Sequence, residues 1–330
     1  MDASAAAVAW QDDGFVVLPG FLPASELVPA VAELGLMFPS ADGFHDRADP
    51  RCARYLGDEF AGIDSFPFAS AEVSLLAVHD RLADLAETLL GDTDIRIYSA
   101  EAWAKYTGAA DYDQTLHRDY LNHTLLVPSP ASRQLEMFVY LADVPDELGP
   151  PHLVSRARTA GLPATPNWYP CTDGAASEGG FVSVRGRPDL YEAEVSAAGP
   201  AGTVVAFEPG TFHRGTALTA PRAARYTMNL GYRPAAAEWG HRHAWANRSH
   251  DPAWYRFVAR ATPRQLRLFG FPPPGHPFWT PETVAGIGLR YPDRDWSAWR
   301  ATGWTGLPPA ARASAPHQGP GQGHGPQPRP

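Results

Sequence analysis

The chain has 330 residues, 44% of them hydrophobic, which is enough to bury a sizeable core in one large domain or two ordinary ones. Its formal net charge is −9 and its basic residues form no block, so we expect no nucleic-acid partner. The N-terminus lacks the pattern of a secretory signal, and no stretch approaches the roughly 18 apolar residues of a membrane span. Two isolated cysteines, Cys52 and Cys171, fit a cytosolic thiol pair more simply than a disulfide. We therefore predict a cytoplasmic protein with no membrane partner.

The first part of the chain is predicted to be mainly helical. Residues 14–18 have the composition of a strand, and 25–38 carry an apolar stripe typical of a helix. Residues 39–68 show no period, which indicates a long loop, and such a loop can lie over a pocket. Leucines on one face predict a helix over 71–90, and Gly91 supplies its C-terminal stop.

After residue 95 the pattern changes from helix to strand. Short runs rich in β-branched and aromatic residues are separated by turn residues. We predict strands at 95–98, 101–106, 115–120, 123–127, 134–141, 203–207 and 225–232. Helices followed by about eight short strands predict a mainly β fold with flanking helices, namely a double-stranded β-helix, or jelly-roll and cupin-like barrel. The Gly-, Pro- and Ser-interrupted segment 150–200 is expected to line or cover its mouth.

We predict one domain over residues 1–306, followed by a disordered Pro- and Gly-rich tail over 307–330. Within the domain the barrel core spans about 95–235, and an aromatic-rich cap spans about 236–306. The cap holds seven tryptophans and one predicted helix near 253–260. Ordinary core packing explains such aromatic residues, although they also give a weak hint of a sizeable apolar or cyclic substrate.

The motif His117-Arg118-Asp119 carries the chemistry of this sequence. In a strand, residues i and i+2 point the same way, so His117 and Asp119 project from one face and Arg118 from the other. His213 follows another predicted strand, and in a closed barrel a residue far along the chain can face the first pair. Two histidines and one carboxylate are the ligand set of non-haem Fe(II) oxygenases, with three coordination positions open.

An anionic chelator suits the open positions of such an iron. A 2-oxo acid offers its carboxylate and keto oxygen together, and a second carboxylate on the same molecule then needs a cation. Arg225 opens a predicted strand twelve residues after His213, and its planar fork matches a carboxylate. Thr227 and Asn229 share its face and can add hydrogen bonds.

Simpler interpretations of these residues stay open at this point. An HxD pair alone is common in a chain of this size, and Arg225 could form a surface ion pair. His241 and His243 repeat the i, i+2 spacing without a carboxylate and are interpreted as surface or cap residues. His123 is a candidate substrate contact or a packed side chain. Arg222 is the rival of Arg225, but it lies in a turn and is expected to face solvent.

In order and spacing, these motifs resemble the phytanoyl-CoA dioxygenase family of Fe(II)/2-oxoglutarate oxygenases. The resemblance covers roughly residues 10–235. The opening DGFVVLPGFLPASEL is similar to the family's first strand and helix, and HRD at 117–119 to its HxD. VYLADVPDELGPPHLV at 139–154 resembles a barrel strand and its turn. GTVVAFEPGTFHRGT and ARYTMNLGYRP resemble the strands of the distal histidine and the arginine.

The resemblance implies a role for each residue of the motif. His117, Asp119 and His213 would bind Fe(II), and Arg225 would bind the far carboxylate of 2-oxoglutarate. The family often carries a lysine in the strand before the HxD, and Lys105 occupies the matching place. Lys105 is also the one lysine among 27 basic residues. The co-substrates would be 2-oxoglutarate and O2.

Some positions depart from the family's pattern. The Asn-Gly-Pro turn is 148–150 here with Leu148 first, and Gly215 stands where a small polar residue often follows the distal histidine. Thr216 is a candidate substitute, and residues 154–157 replace a Pro-Gly-Ser-His segment. These changes lie around the expected pocket and weaken any transfer of substrate. Related halogenases replace the metal-binding carboxylate with a small residue, so Asp119 favours hydroxylation.

The sequence therefore predicts an Fe(II)- and 2-oxoglutarate-dependent dioxygenase that hydroxylates a small organic molecule and releases succinate and CO2. One alternative is a non-catalytic jelly-roll binding protein, and another is a barrel metalloenzyme that does not use 2-oxo acids. Neither the substrate nor the oligomeric state can be derived from the sequence.

Overall fold

The computed structural model describes residues 3–56, 62–109, 112–119, 133–162, 168–173, 176–178, 181–183, 185–237 and 251–300. Its α-helices are α1 Ala3–Asp13, α2 Ala24–Ala32, α3 Ala41–His45, α4 Ala71–Leu76, α5 Asp80–Leu90, α6 Arg156–Thr159, α7 Pro188–Glu192, α8 Pro252–Arg260, α9 Pro263–Arg267 and α10 Pro281–Arg290. Its strands are β1 Phe15–Leu18, β2 Ile63–Ser65, β3 Ile95–Tyr106, β4 Leu116–His117, β5 Leu135–Tyr140, β6 Pro151–Val154, β7 Trp168–Tyr169, β8 Ala176–Glu178, β9 Phe181–Ser183, β10 Glu194–Ser196, β11 Val204–Phe207, β12 His213–Gly215 and β13 Ala224–Pro234.

Two antiparallel sheets carry the architecture. The large sheet has the order β1-β11-β5-β13-β3-β2, and the small sheet has the order β10-β6-β12-β4-β7. From β3 to β6 the chain alternates between the large and the small sheet, and it alternates again from β10 to β13. Strands that are distant in sequence therefore become neighbours, which is how β4 and β12 come to lie side by side.

The large sheet is buried on both faces, and β5 shows how its sequence achieves this. Leu135, Met137 and Val139 alternate with Phe138 and Tyr140, as expected for side chains that point to opposite faces of a sheet. The first three belong to the main apolar cluster with the helices. Phe138 and Tyr140 belong to a second cluster, which also contains residues of the small sheet. The sheet thus has an outer face against helices and an inner face against the small sheet.

Helices are present in both segments predicted to be helical, 25–38 and 71–90, but their boundaries differ from the prediction. The predicted helix 71–90 is two helices, α4 and α5, because the His79 side chain accepts the Arg81 N–H and caps a new helix start. Gly91 ends α5 with a φ of 66°, the left-handed conformation expected of a C-terminal glycine. The prediction 25–38 corresponds to α2, which ends at Ala32, and a 3₁₀ helix that follows it.

The prediction of a structureless loop over 39–68 is wrong. This segment contains α3, the 3₁₀ helix Pro50–Tyr55 and the edge strand β2. Ser40 and Asp49 cap the two helical pieces by accepting backbone N–H groups with their side chains. Elements of three to six residues are too short to produce a readable period, so hydrophobic patterning misses them.

The segment 150–200 forms three of the five strands of the small sheet. It supplies β6, β7 and β10, together with the two short helices α6 and α7 and the β8–β9 hairpin. The expectation that it lines or covers the mouth of a barrel therefore understates its role. Each of these strands has only two to four residues, so Gly, Pro and Ser between them are ordinary turn residues.

The C-terminal helices and the tryptophans around them belong to the apolar cluster on the outer face of the large sheet. Trp254, Trp279, Trp296 and Trp299 are buried in the main apolar cluster, and α8 confirms the helix predicted near 253–260. These tryptophans are core residues, so their number carries no information on substrate. Trp239, Trp245, Trp304 and the predicted tail 307–330 lie outside the described residues. Among the helices described, none combines the length and the apolar character needed to cross a bilayer.

Candidate active site

Neighbouring strands of the small sheet bring His117 and His213 together. His117 on β4 and His213 on β12 are direct cross-strand partners, and their ring centroids lie 4.7 Å apart. Asp119 follows two residues after His117, and its N–H donates to the carbonyl of Pro209 at 3.0 Å. One candidate ligand atom from each of His117, Asp119 and His213 lies within 4.8 Å of the others. The structure thus gathers the three residues that the sequence predicted as metal ligands.

The donor atoms converge on a partly shielded point. His213 Nε2 lies 3.1 Å from Asp119 Oδ2, and His117 Nε2 lies 3.5 Å from Asp119 Oδ1. The His213 side chain is 5% exposed, and those of His117 and Asp119 are 15% and 16% exposed. One side of the cluster is therefore protein and the other is accessible, as a centre that exchanges small ligands requires.

Backbone carbonyls fix the orientation of both imidazoles. His117 Nδ1 lies 2.7 Å from the Thr115 oxygen, and His213 Nδ1 lies 3.0 Å from the Thr211 oxygen. A carbonyl only accepts, so each Nδ1 carries the hydrogen and each Nε2 offers its lone pair to the cluster. Metal-binding histidines in other proteins commonly donate their other ring N–H to an acceptor in this way.

The negative charge of Asp119 affects the pKa of the neighbouring His213. Burial disfavours the imidazolium of His213, but the Asp119 carboxylate outweighs burial and the pKa of His213 is raised on balance. A carboxylate between two imidazoles thus draws positive charge into the cluster, and a divalent cation meets this demand better than a proton does. The donor set of two nitrogens and one oxygen fits Fe(II).

Arg118 supports the strand geometry inferred from the motif, although β4 covers only two residues of the predicted strand 115–120. Its guanidinium lies 4.5 Å from the centre of the Phe212 ring, away from the cluster of His117 and Asp119. The i, i+2 alternation therefore holds through the end of the strand.

Arg225 is a buried cation at the start of β13. It is 7% exposed, and its Nη1 donates to the carbonyls of Leu148 and Gly149. Its Nε has no hydrogen-bond partner, and within the described part of the chain no carboxylate pairs with it. Burial lowers the pKa of Arg225 to about 10, so the guanidinium stays charged at neutral pH. The side chain is thus a buried cation to which an anion can bind.

Two other predicted residues flank Arg225 on the inner face. Lys105 on β3 lies directly opposite Arg225 and is 5% exposed. Thr227 is 4% exposed and lies between Trp103 on β3 and Tyr140 on β5. Sheet register thus places both predicted co-substrate residues on the face that carries Arg225.

A close contact between turns links Arg225 to the histidine cluster. Gly149, which accepts from Arg225, has a φ of 64°, and a Cβ there would lie 2.3 Å from the Thr216 oxygen. Thr216 follows the end of β12, three residues after His213. Only glycine permits this approach, so Arg225 is anchored beside the strand that carries His213.

The inner face also holds a buried pair that the motif analysis missed. The Tyr98 hydroxyl donates to the Glu136 carboxyl, and each residue is 1% exposed. Burial raises the pKa of both groups, and the charge of Asp119 raises both further. A signal was available, because Glu136 interrupts the apolar strand β5, where a charged residue is unusual.

The rival candidates have different environments. Arg222 is exposed and its guanidinium lies 2.8 Å from Asp46 and 3.7 Å from Asp42, which confirms that it faces solvent. The Thr216 hydroxyl donates to the Pro150 carbonyl at 2.7 Å. His123, His241 and His243 lie outside the described residues.

Solved structures with the same fold include the epimerase SnoN in complex with Fe3+, alpha ketoglutarate and nogalamycin RO. It is 22% identical, with a TM-score of 0.51, over 71% of this chain and 84% of that chain. EctD from S. alaskensis is 21% identical, with a TM-score of 0.48, over 71% and 77% of the two chains. HygX from Streptomyces hygroscopicus, with nickel and 2-oxoglutarate bound, is 18% identical, with a TM-score of 0.47, over 70% and 86%. At 22% identity, the likeness to SnoN shows a shared fold.

The comparison with curated proteins found no match. The sequence profile described as phytanoyl-CoA dioxygenase (PhyH) matches residues 10–225, about two thirds of the chain. The match includes both histidines, the aspartate and the arginine of the site. The cofactor and co-substrates are therefore Fe(II), 2-oxoglutarate and O2. The chain belongs to the phytanoyl-CoA dioxygenase (PhyH) family.

Proposed function

We propose that this protein is an Fe(II)- and 2-oxoglutarate-dependent dioxygenase that hydroxylates a small organic molecule and releases succinate and CO2. The observation that carries the proposal is the convergence of His117 Nε2, His213 Nε2 and the Asp119 carboxylate on one point. Three ligands on one side leave positions for a chelating co-substrate and for O2. Bound iron with these co-substrates supplies the oxidising chemistry.

The role proposed for Arg225 is to bind the far carboxylate of 2-oxoglutarate. Its supports are its burial, its unpartnered Nε and the absence of a carboxylate partner within the described residues. The turn it contacts lies against Thr216, three residues from His213, a separation of about 10 Å along a strand. A five-carbon diacid is a suitable length for that span. Arg225 then orients the co-substrate and neutralises its charge.

Lys105 and Thr227 are proposed as further co-substrate residues. Lys105 would add positive charge next to Arg225, because the two are direct cross-strand partners. The Thr227 hydroxyl would donate or accept one hydrogen bond on the path from Arg225 towards the cluster. Their burial favours a role for a bound anion over a role at the surface, where such side chains interact weakly.

The apolar residues of the inner face have a role in excluding water. The Phe207 ring centroid lies 4.8 Å from that of His213, and Phe138 stacks on Phe207 at 5.4 Å. Both phenylalanines belong to the inner apolar cluster with Tyr140. A wall of this kind lowers the local dielectric and protects a reactive centre from side reactions with water.

The architecture is proposed to be a double-stranded β-helix. Its eight core strands would be β3, β4, β5, β6, β10, β11, β12 and β13, and their equal division, four to each sheet, supports this proposal. We further propose a single domain over residues 1–306, because helices from both ends of the described chain share one apolar cluster. The free thiols of Cys52 and Cys171 support the proposed cytoplasmic location.

Hydroxylation is proposed over other outcomes because Asp119 occupies the ligand position that halogenases leave small. SnoN is an epimerase, so the same fold also carries a different reaction, and the product must be tested directly. With a substrate in hand, mass spectrometry after reaction under ¹⁸O2 should show one labelled oxygen in the product. A dehydrogenated or epimerised product without label would contradict hydroxylation.

The test of the main proposal uses purified protein under nitrogen. Fe(II) and 2-oxoglutarate should together produce a visible charge-transfer absorption that neither produces alone. His117→Ala should abolish this band, and Arg225→Ala should shift its appearance to much higher 2-oxoglutarate concentrations. A wild-type protein that matches His117→Ala under all conditions would refute the assignment.

A further inference from the structure

The loop that precedes β12 supports both halves of the candidate metal centre. We propose that Thr211 is a positioning residue for this centre, and that it acts through a hydrogen bond from its hydroxyl to the Gly14 carbonyl. The inference rests on the proposed roles of His213 and Asp119 as metal ligands. Thr211 itself contacts neither the metal site nor a substrate through its side chain, so its effect passes through the backbone.

Every polar group of Thr211 is engaged. Its N–H donates to the Glu208 carbonyl at 2.8 Å, and its carbonyl lies 3.0 Å from His213 Nδ1. Its hydroxyl donates to the Gly14 carbonyl at 2.8 Å, and the residue is 6% exposed. The same residue thus orients the His213 ring at one end and holds the N-terminal segment at the other.

The Gly14 carbonyl accepts the Thr211 hydroxyl and a second donor of the same loop. This second donor is the Glu208 N–H, at 3.0 Å, so one oxygen ties down two positions of the loop. Gly14 has a φ of 81°, and a Cβ at this position would lie 2.8 Å from Thr211 Oγ1. A glycine here satisfies two requirements, the left-handed backbone and the space for the threonine hydroxyl.

The loop positions Asp119 as well as His213. Pro209, which lies between Glu208 and Thr211, accepts the Asp119 N–H at 3.0 Å. A second link to the N-terminal segment runs through Arg156 on α6, whose guanidinium pairs with the Glu208 carboxylate at 2.5 Å and donates to the Gln11 carbonyl at 2.8 Å. A shift of this loop would therefore move two of the three ligands relative to the third.

The expected effect follows from the tolerance of metal sites. Loss of an outer partner that orients a ligand typically weakens metal affinity by about 10- to 100-fold. Thr211→Val removes the hydroxyl but keeps the β-branched shape, so it leaves the Gly14 contact without its hydrogen bond. We expect it to weaken metal binding by about 10-fold. Thr211→Ser keeps the hydroxyl and should stay within about twofold of the wild type.

The test is a titration of the metal-free full-length protein with Co(II), in which the visible absorption of the bound Co(II) reports binding. Thr203→Val is the matched control. Thr203 is fully buried, and its hydroxyl donates to the Pro200 carbonyl at 2.7 Å, but it lies at the other end of β11 from the metal cluster. Thermal unfolding of the metal-free variants shows whether Thr211→Val and Thr203→Val lose comparable stability.

The inference is supported if Thr211→Val alone weakens Co(II) binding while Thr203→Val and Thr211→Ser bind like the wild type. Equal affinity of Thr211→Val and the wild type would overturn it, as would an equal loss in Thr211→Ser, which would indicate a packing role. If Thr211→Val does not fold, the affinity of Thr211→Ser still decides. Failure of the proposed function gives a separate result, because the wild type would then bind Co(II) no better than His117→Ala.

Discussion

The two faces of the large sheet are both buried, but their compositions are opposite. On the outer face, side chains such as Ile97, Met137 and Leu230 pack against helices and the C-terminal aromatic residues. On the inner face, the same strands carry Lys105, Arg225 and other polar side chains next to a small apolar cluster. Apolar burial stabilises the fold, whereas buried charges are costly unless they are paired. The contrast matches an outer face that serves stability and an inner face that carries the proposed co-substrate residues.

The largest expected effect tests the outer face. Phe257 on α8 is fully buried, and its ring centroid lies 5.0 Å from Phe66 and 5.2 Å from Phe269. Phe257→Ala should lower the free energy of unfolding by about 3–5 kcal/mol, because it leaves a cavity in a packed aromatic cluster. Urea denaturation measures the loss, and the exposed Val28→Ala in α2 is the control for a small effect.

The same variant tests the separation of the two faces. Below the urea concentration at which Phe257→Ala begins to unfold, its Co(II) affinity should stay within about twofold of the wild type, as expected for distant sites without shared partners. A strong loss of metal affinity in the folded variant would show that the outer face also shapes the site.

The next effect tests the inner face, where function and stability should move in opposite directions. Arg225→Met should weaken 2-oxoglutarate binding by about 100-fold, since a hydrogen-bonded charge pair contributes up to about 3 kcal/mol. The metal-free protein should unfold at the same or a higher temperature, because a buried cation has been removed. Calorimetric titration with 2-oxoglutarate in the presence of Co(II) measures the first change.

Arg222→Met is the matched control for Arg225. Its side chain is 55% exposed, and it pairs only with surface carboxylates. It should leave 2-oxoglutarate affinity unchanged and alter stability by less than about 0.5 kcal/mol. If both variants weaken 2-oxoglutarate binding equally, the carboxylate is not bound at Arg225.

The sequence allowed the elements and ligands with local signatures to be predicted. The HxD spacing predicted His117 and Asp119 as metal ligands and the strand context predicted His213, and the structure brings these three residues together. The strand context also predicted Arg225, which is buried on β13. Gly91 was readable as a helix stop because its conformation is a local property. These signals depend on neighbours two to four residues away.

What escaped prediction depends on contacts that are remote along the chain. Thr211 and Gly14 are 197 residues apart, and Tyr98 and Glu136 are 38 apart on strands that are not adjacent. No local pattern reports such a pair. The small sheet was also underestimated, because strands of two to four residues show no measurable alternation.

A third prediction concerns Glu136 on the inner face and its dependence on pH. Burial raises the pKa of Glu136 well above its ordinary value, so the folded protein keeps a proton that the unfolded chain releases above about pH 4.5. Stability should therefore fall as pH rises above that value, by up to about 1.4 kcal/mol per pH unit. Glu136→Gln cannot titrate, so its stability should fall less than that of the wild type as pH rises above about 4.5.

Glu194 supplies the control with the opposite sign. Burial alone would raise its pKa, but hydrogen bonds from His152 and Arg214 outweigh burial and lower it. Its contribution to stability should be complete above about pH 4.5 and should disappear as pH falls through the lowered pKa. Urea denaturation of the wild type, Glu136→Gln and Glu194→Gln at a series of pH values measures both contributions. Parallel pH profiles of wild-type protein and Glu136→Gln would contradict the buried neutral acid.

The smallest expected effect concerns Thr227, which tests how far the co-substrate path extends along β13. Thr227→Val keeps the shape of the side chain and removes its hydroxyl, so one neutral hydrogen bond is lost. Such a bond contributes about 1 kcal/mol, and 2-oxoglutarate affinity should fall about fivefold. Thr227→Ser should restore most of the affinity. Because Thr227 shares the inner face with Arg225, the two losses should be larger or smaller than additive in the double variant if both residues contact one bound molecule. An unchanged affinity in Thr227→Val would confine the co-substrate contacts to the Arg225 end of the strand.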